Sequence, residues 1–149
     1  MAYSNALSAY RSTRVTTAGQ GQLIIMLYDE VIKNLDQGLH LMQLNNIGKK
    51  GDPAKIEQIS KAILKAQELI TELIVSLDFD QGGDIAKSLF SLYTWFNQEL
   101  LGGNIDKNPD RITAVREMVG DLRSAWFEVI TKGASEIAER PMNGLNIAG

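Results

Sequence analysis

Chemistry needs nucleophiles, paired acids and bases, metal ligands or phosphate cradles, and this chain is poor in all of them. It has no cysteine, which excludes disulfides, thiolate zinc sites, iron–sulfur ligation and a cysteine nucleophile. Its one histidine, His40, excludes multi-histidine metal sites. A carboxylate-bridged di-metal bundle needs Glu-x-x-His on each of two helices, but the residue three before His40 is Gln37. Asp78-Phe79-Asp80-Gln81-Gly82-Gly83-Asp84 starts like a calcium loop, with Gly83 at the sixth position. The bidentate glutamate required at the twelfth position would fall on Leu89, so these carboxylates read as helix-capping residues. Gly19-Gln20-Gly21-Gln22 lacks the third glycine of a dinucleotide loop and the lysine of a P-loop. No nucleophile is paired with a base. No catalytic residue, cofactor or metal site is expected, and the chain reads as a binding or structural protein, not an enzyme.

Composition agrees. The 149 residues are 44% hydrophobic and 22% charged, which is ordinary for a globular domain and excludes bulk disorder. Fifteen basic residues against eighteen acidic give a net charge of −3. A nucleic-acid binder would carry a basic excess or stripe, so no nucleic-acid partner is expected. The Leu23 to Leu27 run falls far short of the ~20 residues that span a bilayer. No membrane insertion and no targeting peptide are expected, and the default compartment is the cytoplasm.

The elements that would position any binding surface are helices. Apolar residues recur every three or four positions in four segments. The first runs from about Gln20 to Asn45, with Ile24, Leu27, Tyr28, Val31, Leu35, Leu39 and Met42 on one face and Thr17 to Gln20 fitting a capping box. The second runs from Pro53 to about Leu77 behind an Asp52 N-cap, with Ile56, Ile59, Ile63, Ala66, Ile70, Leu73 and Leu77. The third runs from about Gly83 to Leu101, with Ile85, Leu89, Leu92, Tyr93, Phe96 and Leu100. The fourth begins at Asn108-Pro109, with Ile112, Val115, Val119, Leu122, Trp126 and Val129. Strand signals are weak. The expected fold is all-α: one domain forming an antiparallel up-down four-helix bundle over residues 17–133. An N-terminal arm (1–16) and a loosely ordered C-terminal tail (134–149) flank it.

Three blocks of residues carry a resemblance. They are Tyr10 to Ala18 leading into Leu23-Ile24-Ile25-Met26-Leu27-Tyr28-Asp29; then Glu72-Leu73, Leu77-Asp78, Gly82-Gly83-Asp84-Ile85-Ala86, Leu89 and Leu92-Tyr93; and last Leu122-Arg123-Ser124-Ala125-Trp126. In this order, over about residues 7–130, the chain resembles the FliS family of flagellin-specific export chaperones. Gly19-Gln20 stands where that family usually has Ser-Pro, and Glu30 where it has glycine. Both departures alter local capping and propensity and should spare the topology. The resemblance implies a cytosolic chaperone that binds the disordered C-terminal segment of flagellin, prevents its premature polymerisation and delivers it to the flagellar type III export apparatus. It also implies a homodimer in some members and a second flagellin-binding regulator as a further partner.

Leftover apolar residues give that role a physical basis. Leu23, Ile24, Ile25, Met26, Leu27 and Tyr28 make both faces of the first helix apolar at its start. Ile74, Val75, Phe90 and Trp95 lie off the core stripes. Such residues either thicken the core or form grooves into which guest helices lay an apolar stripe. The groove residues expected to meet the guest are Leu23, Ile24, Met26, Leu27 and Tyr28 from the first helix. Ile70, Ile74 and Leu77 follow from the second, then Ile85, Leu89, Leu92 and Tyr93 from the third. Leu7, Tyr10 and Val15 of the arm would lie over the groove as a lid, beside Tyr3. Trp126, also a candidate contact, sits on the fourth stripe and is expected foremost as a core anchor. The alternative role is a self-associating four-helix regulatory or adaptor module for another export or signalling protein.

Overall fold

The computed structural model describes residues 19–47 and 52–139. They form four helices, α1 (Gly19–Ile47), α2 (Pro53–Val75), α3 (Phe79–Asp106) and α4 (Pro109–Glu139), and contain no strand. The fold is all-α, a four-helix bundle, as the periodicity predicts. The arm residues Leu7, Tyr10 and Val15, the Thr17 cap and residues 140–149 lie outside the described residues.

Side-chain caps set the helix starts. Asp52 Oδ1 accepts the Ala54 N–H at 3.0 Å, and Pro53 needs no partner at the first position. Asn108 Oδ1 accepts the Asp110 N–H at 3.0 Å at the head of α4. The third helix starts earlier than its periodicity suggests. Asp78 Oδ1 accepts the N–H groups of both Asp80 and Gln81 at 3.0 Å, so winding begins at Phe79. The expected start, Gly83, is instead a kink with φ 52 and ψ −124, a backbone that suits a residue without Cβ. The third helix also ends later, at Asp106, not near Leu101. Gly102 and Gly103 do not break it. At Gly103 the missing side chain lets α4 approach, since a Cβ would come within 2.7 Å of Ile112 Cδ1. The fourth helix continues to Glu139, past Gly133.

The chain divides into two compact units, residues 27–120 and residues 1–26 with 121–149. In the 27–120 unit α2 and α3 run antiparallel. Ser60 Oγ donates to Asn104 Oδ1 at 3.1 Å, and Gln67 Nε2 donates to the Asn97 carbonyl at 3.2 Å. Arg111 forks onto Glu99 at 3.1 and 3.0 Å, closing the α3–α4 hairpin. Arg116 forks onto Asp36 at 2.8 and 3.2 Å, tying α4 to α1. The core holds Leu27, Tyr28, Val31, Leu35 and Met42 from α1, and Ile59, Ile63, Leu69, Ile70 and Leu73 from α2. To these α3 adds Tyr93, Phe96 and Leu100, and α4 adds Ile112, Val115 and Val119. Each large apolar side chain so buried is worth about 1.5–3 kcal/mol over an exposed one.

In the unit of the two ends, Leu23 and Ile25 are buried. Gly21 lies against Ile130, whose Cδ1 would meet a Cβ at 2.6 Å. Trp126 is half-buried, while Phe127 and Val129 are exposed and help line a cavity of about 590 Å³.

Candidate functional site

The antiparallel register of α2 and α3 places two rows of side chains on one outward face. Ser60, Leu64, Gln67, Thr71 and Val75 recur at three- and four-residue spacing along α2. Phe90, Thr94, Asn97, Leu101 and Asn104 do so along α3. With Ser60 opposite Asn104 and Gln67 opposite Asn97, Leu64 is level with Leu101 and Val75 with Phe90. Leu64 is 54% exposed, Leu101 52% and Val75 67%, so this face leaves large apolar side chains open to solvent. Phe79 meets Phe90 edge-on with ring centroids 6.0 Å apart and extends the apolar surface at that end. Ile105, the most exposed large apolar residue among the described residues at 73%, extends it at the other.

Between the apolar rungs lie polar ones. Asn97 Nδ2 donates to Thr71 Oγ1 at 3.3 Å, and Thr71 Oγ1 donates to the Gln67 carbonyl at 2.9 Å. Gln67 Oε1 and Asn97 Oδ1 are buried with no hydrogen-bond partner among the described residues. At the α3 C-terminus Lys107 takes the left-handed conformation, φ 51, where glycine is commonest. Its ammonium donates to Asn104 O at 2.6 Å, Asn104 Oδ1 at 2.7 Å and Ser60 Oγ at 3.1 Å. Desolvation among these groups lowers its pKa from 10.5. The opposite end of the face carries Asp78 and Asp80.

The expected groove residues fall into three groups. Leu23, Leu27, Tyr28, Ile70 and Tyr93 are buried in their units, with Tyr28 and Tyr93 joined through their hydroxyls at 2.6 Å. Ile24, Met26, Ile74, Leu77, Leu89, Leu92 and Trp126 are half-buried. Ile85 is 71% exposed, because the Gly83 kink shifts the helical phase and Ala86 takes the buried position. The outer face therefore draws on residues beyond that set. Val75 and Phe90 stand out in the sequence as off-stripe apolar residues. Leu64, Leu101 and Ile105 carry the same signal, being apolar residues left over once the core stripe is assigned.

The face has no paired acid and base and no nucleophile. Its chemistry is that of an apolar seam with hydrogen-bonding rungs, suited to receiving an amphipathic segment. Among the described residues no helix is long and apolar enough to cross a membrane.

Known proteins are similar to this sequence. The family model described as "Flagellar protein FliS" matches residues 3–133. The flagellar secretion chaperone FliS of Vibrio cholerae is 30% identical over 128 residues, covering 83% of this chain and 88% of that protein. Its namesake from Escherichia coli is 31% identical over 114 residues, covering 76% and 78%. The Bacillus subtilis one is 26% identical over 130 residues, covering 87% and 90%. A match across nearly the whole chain, on an all-α bundle with an apolar seam, means that this protein belongs to the FliS family of flagellar secretion chaperones, a chaperone family and not an enzyme family.

Proposed function

We propose that this protein is a cytoplasmic export chaperone for flagellin. It binds the C-terminal segment of newly made flagellin, holds it from polymerising and hands it to the flagellar type III export apparatus. The guest lies along the α2–α3 face, its apolar stripe on Leu64, Leu101, Val75 and Phe90. The observation that carries the reading is this exposed row of apolar rungs in a chain of the FliS family. A flexible guest loses conformational entropy on ordering, which costs about 2–5 kcal/mol of the gross interaction. A long apolar seam offsets that through burial at ~25 cal/mol per Å². A homodimer and a second flagellin-binding regulator are further partners of the same reading.

Calorimetric titration with the C-terminal segment of the host's flagellin tests it, with the N-terminal segment as control. Saturable one-to-one binding of the C-terminal segment alone is expected, with a negative heat-capacity change and weak salt dependence. Binding of neither segment sinks the proposal.

A further inference from the structure

The start of α3 is a short capped turn with a non-helical joint on each side. The first joint is Asp78, extended at φ −109 and ψ 100, and the second is Gly83, at φ 52 and ψ −124. Between them residues 79–82 wind as one closed turn. The Asp78 carboxylate accepts the Asp80 and Gln81 N–H groups at 3.0 Å, and the Gly82 N–H donates to the Asp78 carbonyl at 2.7 Å. These bonds hold the turn together as one small body.

Gly83 has the features of a hinge. A residue with a side chain rarely adopts its backbone conformation, whereas glycine does so freely. A Cβ there would meet nothing within 4 Å, so the joint stands in open space. Gly82 differs: a Cβ on it would come within 2.9 Å of the Ala86 Cβ. The missing side chain of Gly82 thus lets the turn settle closely on the body of α3.

The ring carried by this turn rests on the seam. Phe79 and Phe90 are eleven residues apart in sequence, which in an unbroken helix is about 16.5 Å of rise. Their ring centroids are 6.0 Å apart, because the chain folds back at Gly83. Both rings are about half exposed, so the contact lies at the surface and not in the core. Phe90 is also one of the four side chains on which the guest's apolar stripe is placed above, level with Val75. In the free protein an internal ring already covers part of it.

We propose that residues 79–82 form a lid on the Phe90 end of the seam, hinged at Asp78 and Gly83, whose Phe79 covers Phe90 in the free protein and swings off when an apolar side chain of the guest takes its place. The lid rests on the reading of the α2–α3 face as the seat of the guest. It screens an aromatic ring from water between guests, and it makes each guest compete with a ring of the protein itself, so the guest opens the lid only by its greater affinity for the open form.

Two readouts on the full-length protein test it, with the C-terminal segment of the host's flagellin as the probe. The first is calorimetry on Phe79→Ala. Phe79 lies outside the core, so the variant keeps the fold. It should bind the segment about two- to tenfold more tightly than the unaltered protein, the range of an aromatic pair contact. The second is fluorine magnetic resonance with fluorophenylalanine at the four phenylalanines, assigned by Phe79→Leu and Phe90→Leu. Without the segment, each substitution should shift the signal of the other ring. Saturating segment should carry the Phe79 signal to its solvent-exposed position. Equal or weaker binding by Phe79→Ala, or a Phe79 signal that the segment leaves in place, overturns the lid and spares the guest reading. Failure of both proteins to bind the segment overturns the guest reading, and the lid with it.

Discussion

The hydroxyl oxygens of Tyr28 and Tyr93 lie 2.6 Å apart inside the 27–120 unit, joining α1 to α3 across 65 residues of sequence. Both residues are almost wholly buried, so the bond replaces water that neither phenol can reach. Tyr28→Phe strands the Tyr93 hydroxyl and should cost about 1–3 kcal/mol in urea denaturation. The double variant Tyr28→Phe/Tyr93→Phe should cost less than the two single changes added together.

The same pair sets an alkaline limit. Burial, opposed by the smaller effect of the Tyr28 hydrogen bond, raises the Tyr93 pKa above 10.0. The folded state therefore holds this proton more tightly than the unfolded chain. That contribution to stability is whole below pH 10.0 and is lost as pH climbs from there through the folded value. Tyr93→Phe should flatten the fall of the denaturation midpoint above pH 10.0.

An acid-side counterpart lies at the α3–α4 hairpin. The hydrogen bonds from Arg111 lower the Glu99 pKa below 4.5, outweighing desolvation. Stability from this group is present above pH 4.5 and lost as pH falls through the folded value. Glu99→Gln should make stability less sensitive to acid below pH 4.5, as read from thermal midpoints across a pH series.

Two glycines should respond to alanine with opposite signs. Gly103→Ala puts a methyl group 2.7 Å from Ile112 Cδ1, and overpacking by about 1–3 kcal/mol exceeds a propensity gain of about 1 kcal/mol. At Gly120 the nearest atom to the new Cβ is Arg116 Nη1 at 3.5 Å, an ordinary contact. Gly120→Ala should stabilise by about 0.5–1 kcal/mol. Guanidinium denaturation of the two variants checks both.

Leu64→Ser and Leu101→Ser separate docking from folding. Both side chains are about half exposed, so stability should move by no more than about 0.5 kcal/mol. Affinity for the flagellin C-terminal segment should fall about tenfold or more, about 1.4 kcal/mol, in calorimetry. By contrast, Phe96→Ala empties a wholly buried position and should cost about 3–5 kcal/mol of stability.

Most of the fold was legible because helical period and caps are local signals. Asp52 and Asn108 mark helix starts that the backbone adopts. Asp78 was legible as a capping carboxylate, yet its helix was set to begin at Gly83, since a glycine pair reads as a break. The cap and the kink are separate events five residues apart in sequence, and only the backbone distinguishes them. Gly102-Gly103 misled for a related reason: there glycine serves the approach of Ile112, a tertiary demand invisible in the local pattern. Off-stripe apolar residues revealed Val75 and Phe90. The pairing of Leu64 with Leu101 was not legible, because register between two helices depends on which side chains meet across the seam, here Ser60 with Asn104 and Gln67 with Asn97.

That register also acts as a ruler. The polar rungs at Ser60–Asn104 and Gln67–Asn97 are seven residues apart on each helix, about 10.5 Å at 1.5 Å per residue. An amphipathic segment laid along the seam meets apolar surface only in phases that keep its own stripe off those rungs. Sliding by half the interval would press leucines onto the amides, where Gln67 Oε1 and Asn97 Oδ1 lack partners. On the proposed guest reading, the seam would measure the spacing of hydrophobic residues in its guest, and a sequence of equal greasiness but different rhythm would be held less well.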